Sequence, residues 1–429
     1  MTKENASITI PIEHRKKETT PKMDKNITGN VLKHMTHTED LLLLGEDGAT
    51  LALEGLKGVY DALSGKNNKN IILKGKIDGS PAFVASTNFH GLKFVALKHS
   101  WENGKIFSTA EEIAEAFEGR DNVKKLLTLL LENLDYINIP ENEIWMGDFL
   151  FLNETLKERE IEGKDYLTFK PNTLMYAIPM EDPLSRQIEK ADFGVAWHTM
   201  YTGESLDSVS IHFGIDISRI NNVPNIYQMD ADLKSVGNNV LTEKEKVQIS
   251  KEFEDLEYRL SLLRNYPLNE SFNKIFTYLN AYRNNIIKSN NTQFPTIEGL
   301  VAYIRNKFKE ESLTKKTERG MTSTIQRGEV LVNSILDNSE YFNTLLSCQK
   351  EIAEIKEQFI SKLNSTSRIR TFVESSVDGI IPTSGEGYVV SDSVGNVQKM
   401  VSRLEFSRNN FSSDIIKGWT NEKREKQFH

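Results

Sequence analysis

Four ionisable residues occupy positions that packing alone explains poorly. Lys76 stands between the apolar runs Ile71-Ile72-Leu73 and Ala82-Phe83-Val84, next to the turn-forming pair Asp78-Gly79. Asp148 interrupts the otherwise apolar stretch 144–151. Glu386 lies between Gly385 and Gly387 at the head of Tyr388-Val389-Val390, and Lys399 sits inside Val397-Gln398-Lys399-Met400-Val401. A lysine amine is a nucleophile when neutral, and nearby cations push it toward that form. Two carboxylates suit Mg²⁺ or Mn²⁺, hard ions that prefer oxygen ligands. Such an ion neutralises a triphosphate and the charge that develops on its α-phosphate. With a second lysine to contact phosphate, this is the set that nucleotidyl transfer through a lysyl intermediate requires. Structural readings stand beside it. Asp-Gly between apolar runs is also a hairpin signal, with Lys76 merely solvated. Glu386 reads equally as a solvated acid at a strand start, and Asp148 as a buried acid paired to a backbone N–H.

The elements that must hold these residues can be read from period and punctuation. Leu53, Leu56, Val59, Tyr60 and Leu63 recur at helical spacing, with Gly65 as the stop. The stretch 71–84 reads as strand, tight turn, strand, and 92–97 as a third strand. Ser108-Thr109-Ala110-Glu111 reads as a capping box opening a helix to Phe117, and a leucine-rich helix covers 123–134. Strands are expected at 144–151, 173–179 and 193–199. From about Leu206 the pattern turns helical, with a long helix opening at Thr242-Glu243-Lys244-Glu245, and strand signals return only near 385–401. The expectation is an α+β chain: an arm (1–30), a first β-rich part (31–205), a helical insertion (206–370), a second β-rich part (371–412) and a tail (413–429).

Bulk composition sets outer limits. The 429 residues exceed one ordinary core. Basic and acidic residues number 53 and 61, for a net charge of −8, which argues against wholesale wrapping of nucleic acid but leaves room for a local basic groove. The stretch 301–328 holds seven Lys/Arg, which read either as phosphate contacts or as a solvated helix face. One cysteine, Cys348, excludes an internal disulfide. The eight scattered histidines give no zinc spacing. No apolar run approaches the ~18 residues of a membrane span and no secretion signal is visible, so a cytoplasmic location is expected.

The ordered residues resemble a known family. Lys76-Ile77-Asp78-Gly79-Ser80 is similar to motif I of the covalent nucleotidyltransferases, the ATP-dependent DNA and RNA ligases and mRNA capping enzymes. Gly147-Asp148-Phe149-Leu150 resembles their motif III, Leu174-Met175-Tyr176-Ala177-Ile178 motif IIIa, Glu386-Gly387-Tyr388-Val389-Val390 motif IV, and Val397-Gln398-Lys399-Met400-Val401 motif V. All five stand in the family order. Phe-x-Pro-Asn-Thr at 169–173, Trp-His-Thr-x-Tyr at 197–201 and Glu405-Phe406-Ser407 with Asn410-Phe411 further resemble a group of large-phage proteins placed near the RNA ligases. The resemblance covers roughly 35–205 and 370–412.

The resemblance implies an antiparallel-sheet nucleotidyltransferase (ATP-grasp-like ligase) domain with a large, mainly α-helical insertion. It implies that Lys76 attacks the α-phosphate of ATP to give a lysyl–AMP, and that AMP then passes to a 5′-phosphate for sealing by a 3′-hydroxyl, RNA being the favoured acceptor. Asp148 and Glu386 would hold Mg²⁺ or Mn²⁺. Lys74, Asp78, Gly79, Lys98, Tyr176, Lys399 and Arg403 would surround the nucleotide, Tyr176 by stacking on the base. The sequence departs from the pattern in four places. Lys74 replaces the acid that usually reads adenine, Asp148 replaces a glutamate, Lys98 takes the place of an arginine, and Val401 fills the slot of a second lysine, with Arg403 beyond it. The short stretch after Val401 is expected to hold no OB domain. Two other readings remain open: an adenylyltransferase with a non-nucleic-acid acceptor, and a non-catalytic phage binding or virion protein on the same fold.

Overall fold

The structure is a computed structural model that describes residues 36–66, 71–77, 79–206, 208–213, 215–230, 240–264, 269–289, 291, 293–392, 396–405, 409 and 412–418. The expectations for the N-terminal arm, for Asp78 and for Phe406, Ser407, Asn410 and Phe411 therefore lie outside the described residues. The chain opens with β1 (Thr36–His37), a 3-10 helix (Thr38–Leu44) and α1 (Glu46–Leu63). Strands β2 (Ile71–Gly75), β3 (Ala82–Phe89) and β4 (Leu92–Leu97) follow, then helices α2 (Lys98–Glu102), α3 (Ala110–Ala116) and α4 (Asp121–Ile137). Next come β5 (Glu143–Leu152), β6 (Lys157–Ile161), β7 (Lys164–Phe169) and β8 (Leu174–Pro179). Helix α5 (Pro183–Glu189) leads to β9 (Phe193–Gly203), β10 (Val209–Phe213) and β11 (Ile226–Asp230). Five helices succeed one another: α6 (Glu243–Leu263), α7 (Glu270–Lys288), α8 (Ile297–Ser312), α9 (Glu318–Asp337) and α10 (Ser339–Thr366). The chain then returns to β12 (Arg370–Ser375), β13 (Gly379–Pro382), β14 (Tyr388–Asp392) and β15 (Val397–Met400).

These strands form three sheets in a mixed α+β architecture. A four-stranded sheet has the order β1-β15-β14-β2, and a five-stranded sheet the order β13-β12-β8-β7-β6. A six-stranded sheet runs β10-β9-β5-β3-β4, with β11 also on β9. Pairing is antiparallel except for β1 with β15 and β11 with β9. Strands from both ends of the chain pair directly, β14 with β2 and β12 with β8. The two β-rich parts thus build common sheets around the helical excursion.

The helices start where the chemistry of their caps allows. Thr242 and Glu245 close a capping box on α6, and Asn269, Thr296 and Thr317 accept from the first-turn N–H groups of α7, α8 and α9. On α6, Ile249, Phe253, Leu256 and Leu260 lie on one stripe and are buried. They join a core shared with α1 and with Leu73, Tyr388, Val390 and Met400 of the four-stranded sheet. Side chains alternate along a strand, so the intervening Lys74, Val389 and Lys399 take the other face. Register aligns them, Val389 lying opposite both Lys74 and Lys399, and Lys399 opposite His37.

Three expectations change. The stretch 71–84 is not a hairpin: β2 pairs with β14, whereas β3 pairs with β4 and β5, so residues 76–81 cross between two sheets. The helical section begins at Glu243 rather than near 206, because β10 and β11 first complete the six-stranded sheet. The capping box of α3 is Thr109 with Glu112, one residue beyond the expected pair, since the hydroxyl must reach the third helical N–H.

Candidate functional site

A cavity of about 690 Å³ opens where elements of all three sheets meet the C-terminal end of α10. Lys76, just after β2, forms part of its wall together with Tyr176 of β8, Tyr227 of β11 and Glu386 before β14. The Lys76 N–H donates to the Gly387 carbonyl at 2.8 Å, and this backbone tie sets the lysine beside Glu386. Lys76 Nζ lies 3.1 Å from Glu386 Oε2. Glu386 is 3% exposed, so the pair interacts with little screening from water. Gly387 has φ of 85°, and a Cβ there would meet the Met400 carbonyl oxygen at 2.3 Å. The glycine is what lets the turn present Glu386 to the lysine.

The same turn is clamped from two further sides. Asn364, in the last turns of α10, donates to the Ser384 carbonyl at 2.8 Å and accepts from the Tyr388 hydroxyl at 2.7 Å. Burial raises the Tyr388 pKa, so this hydroxyl stays a neutral donor. Glu405 accepts from Thr383 Oγ1 at 2.6 Å and from the Ser384 N–H at 2.9 Å. Tyr176 is 1% exposed and stacks on Phe169, centroids 5.2 Å apart. Lys164, Arg368 and Arg370 bring positive charge to the walls, Arg368 being paired with Asp182.

The remaining expected residues lie around this cavity or away from it. Gly79 sits against β5: a Cβ there would fall 2.2 Å from the Phe149 oxygen and 2.7 Å from Asp148 Cβ. Asp148 therefore lies under the 76–81 crossover, with His198 Nε2 3.8 Å from its carboxylate. Lys74 is 7% exposed and donates to the Ile215 carbonyl at 3.1 Å, tying the four-stranded sheet to the segment between β10 and β11. Lys399 receives the Thr38 hydroxyl on its carbonyl at 3.1 Å. Lys98 opens α2, half-exposed and 4.0 Å from Glu102. Arg403 binds Asp40 at 2.6 Å and Asn284 at 3.1 Å, on the helical side. In the basic stretch 301–328, Arg305 pairs with Glu329, and Lys315 and Arg327 pair with Glu311. The part played by Asn364 and Glu405 follows only from tertiary contact, since neither stands in a strand or a charged cluster.

Of the two carboxylates expected to hold a metal together, Glu386 lines the cavity and Asp148 is not among its lining residues. Among the described residues no cluster of three or more His, Cys, Asp or Glu is poised to hold a metal, and Glu386 supplies one buried carboxylate to the cavity. Mg²⁺ commonly binds through one or two carboxylates plus substrate phosphates and waters. No helix among the described residues is long and apolar enough to cross a membrane. The chain belongs to the family of unknown function DUF6267, whose family model matches residues 30–415. Neither the curated proteins nor the solved structures compared with the chain give a match.

Proposed function

We propose that this DUF6267 member is a nucleotidyltransferase in which Lys76 takes the adenylyl group of ATP, and that the acceptor is a polynucleotide 5′-phosphate, RNA before DNA. The observation that carries the reading is the Lys76–Glu386 pair, 3.1 Å apart in the wall of a 690 Å³ cavity although 310 residues apart in sequence. The volume suits a nucleotide, within the ~300–1,000 Å³ usual for small-molecule sites. Glu386, within hydrogen-bond reach, accepts the proton that Lys76 sheds. The Lys76 Nζ–phosphorus bond then forms as the bond from the α-phosphorus to the pyrophosphate oxygen breaks, and pyrophosphate leaves with the electron pair. Lys164, Arg368 and Arg370 attract the phosphates, and Tyr227, half-buried in the wall, offers ring surface to the base, whereas Tyr176 is already covered by its stack on Phe169. Mg²⁺ or Mn²⁺, when bound, would neutralise phosphate charge with Glu386 among its ligands. The resemblance of five ordered motifs supports the same assignment, and the nucleotidyltransferase fold is part of the proposal.

The test is incubation with α-labelled ATP and Mg²⁺ or Mn²⁺. Wild type should become covalently labelled and Lys76→Ala should not. Acid-labile, alkali-stable label is expected of a phosphoramidate. If wild type takes no label from any nucleoside triphosphate, the reading fails. Labelled protein offered 5′-phosphorylated RNA, DNA or a nicked duplex should pass AMP to one of them. Label that none of them removes would leave the transfer and reject the polynucleotide acceptor.

A further inference from the structure

We propose that the outward face of the five-stranded sheet binds the sugar–phosphate backbone of a single polynucleotide strand and leads its end to Lys76. Side chains alternate along a strand, and the register sorts this sheet into two faces. Leu167, Leu174, Tyr176 and Val373 take one face and share a core with Phe151 and Ala196 of the six-stranded sheet. The other face carries Ile161, Tyr166, Met175, Ala177 and Phe372, a cluster that no helix or second sheet joins among the described residues. Arg159 on β6 reaches across β7 and β8 to Glu374 on β12 at 3.3 Å, and Lys170 meets the same carboxylate at 3.0 Å.

The strands segregate charge between these faces. Lys157-Glu158-Arg159-Glu160 on β6 and Lys164-Asp165 on β7 alternate in sign, so Lys157, Arg159 and Lys164 stand on the outward face and the three acids on the other. Arg370 on β12 joins the cations by register, and Lys170 by its bond to Glu374. Lys157, Lys164 and Arg370 are exposed and form no ion pair among the described residues. Burial lowers the Lys170 pKa; Glu374 opposes this, and Arg159 and Lys157 reinforce it. Glu374 thus sits among mutually repelling cations. Glu162, Glu181 and Asp378 are exposed in turns at the strand ends, where water and salt weaken their field, and Glu405 is engaged by Thr383 and Ser384 beyond β13. From β6 to β12 the face spans three strand spacings, about 14 Å. A lone phosphate meets one or two of these cations, whereas successive phosphates of a strand meet several and release counterions at each. Lys164 and Arg370 also line the Lys76 cavity, so a strand on this face ends at the nucleophile. The strand's role as acceptor rests on the nucleotidyl-transfer reading; its binding does not.

Fluorescence anisotropy on the full chain, without ATP, tests it with short 5′-phosphorylated single-stranded RNA and DNA and with oligoglutamate of similar charge. At least one strand should bind at least tenfold more tightly than oligoglutamate. Its log K should fall with log salt at a slope of about −1.4 or steeper, the release expected of two or more phosphates. Lys157→Glu and Arg370→Glu should each weaken that strand at least fivefold while circular dichroism stays as in wild type. Lys105→Glu makes the same charge change at an exposed lysine after α2, away from this sheet, and should leave affinity within twofold. Absence of binding by both strands, equal binding of oligoglutamate, undiminished binding in folded Lys157→Glu, or an equal loss in Lys105→Glu would overturn the proposal. Strand binding by a protein that takes no label from any nucleoside triphosphate would reject nucleotidyl transfer and keep this surface, and label without strand binding would do the reverse.

Discussion

Glu386 has lost nearly all contact with water, so whatever replaces Lys76 must also answer its charge. Lys76→Ala strips a buried carboxylate of its cation, at a cost of about 3 kcal/mol, and so confounds lost chemistry with lost stability. Lys76→Arg separates them. The guanidinium keeps a cation beside Glu386 but is not a nucleophile, so the melting temperature should stay near wild type while labelling disappears. Glu386→Gln removes the proton acceptor and should lower the labelling rate by about 100-fold, measured in single-turnover assays. Half-buried His37 and buried Glu39 make an acid-stability prediction. Burial lowers the His37 pKa from 6.5 to about 3. The unfolded chain therefore binds this proton below pH 6.5 while the folded chain refuses it, and the contribution to stability is present above pH 6.5 and lost as pH falls toward 3. For Glu39, burial opposes ionisation, but Lys356 overcomes it and the pKa falls from 4.5 to about 2. Its contribution is present above pH 4.5 and drains as pH falls toward 2. Urea titrations should show stability declining by up to about 1.4 kcal/mol per pH unit between pH 6.5 and 4.5, and by up to about twice that below 4.5 where both groups contribute. His37→Gln should flatten the part between 6.5 and 4.5. No difference between the two proteins in that window would reject a buried neutral His37.

Among the elements, the 76–81 crossover and the 383–387 turn meet through one backbone bond, Lys76 N–H to Gly387 O. Gly387→Ala drives a methyl group toward the Met400 carbonyl at a positive φ. It should cost about 2–3 kcal/mol and reduce labelling with it. Gly91 has the matching φ of 87° but open space around it, so Gly91→Ala should cost only about 1 kcal/mol and leave labelling intact. Equal effects of the two substitutions on labelling would deny the turn its positioning role. The contrast also explains what local sequence conveys. The glycines around Glu386 and the apolar runs around Lys76 mark turns and strands wherever they lie. Which strands pair is decided elsewhere, and β2 joins β14 rather than β3 because Leu73 and Val390 share a core with α1 and the helical section. The Asp-Gly signal is the same for a hairpin and for a crossover. The edge strands β10 and β11 escape for a related reason: each has five residues, and β11 gains its order from parallel pairing with Phe193 to Trp197. As a sequence, His37-Thr38-Glu39-Asp40 reads as a helix-start cap or a substrate contact; a 3-10 helix does begin at Thr38, but its N-cap His37 makes no side-chain capping bond. Its burial as an ionic hub depends on Arg283, Lys356 and Arg403, whose positions no spacing rule reveals.

At the scale of the molecule, an insertion in sequence has become part of the frame. Residues 243–366 interrupt the β-rich parts along the chain, which suggests a unit that could be removed. The core contradicts that separation. Leu73, Tyr388, Val390 and Met400 of the four-stranded sheet are buried in the same cluster as Phe253, Leu256, Phe342 and Phe359 of the helices. Deleting the helices would uncover α1 and the 3-10 helix, the elements on which α6 and α10 pack and which in turn cover β2, β14 and β15. The deletion would also strip Glu39 of Lys356 and take Arg283 from Asp40, and remove Asn364 from the turn that carries Glu386. Replacement of residues 241–366 by a short Gly-Ser linker should therefore abolish cooperative unfolding as well as labelling. Intact protein should melt in one transition, followed alike by far-ultraviolet circular dichroism, which reports mainly the helices, and by tryptophan fluorescence. Of the four tryptophans that the fluorescence reports, Trp145 and Trp197 lie in the six-stranded sheet and Trp101 packs against its core. Two separated transitions, or a cooperative melt of the shortened chain, would show that the helices are an independent domain and that the sheets need no cover from them.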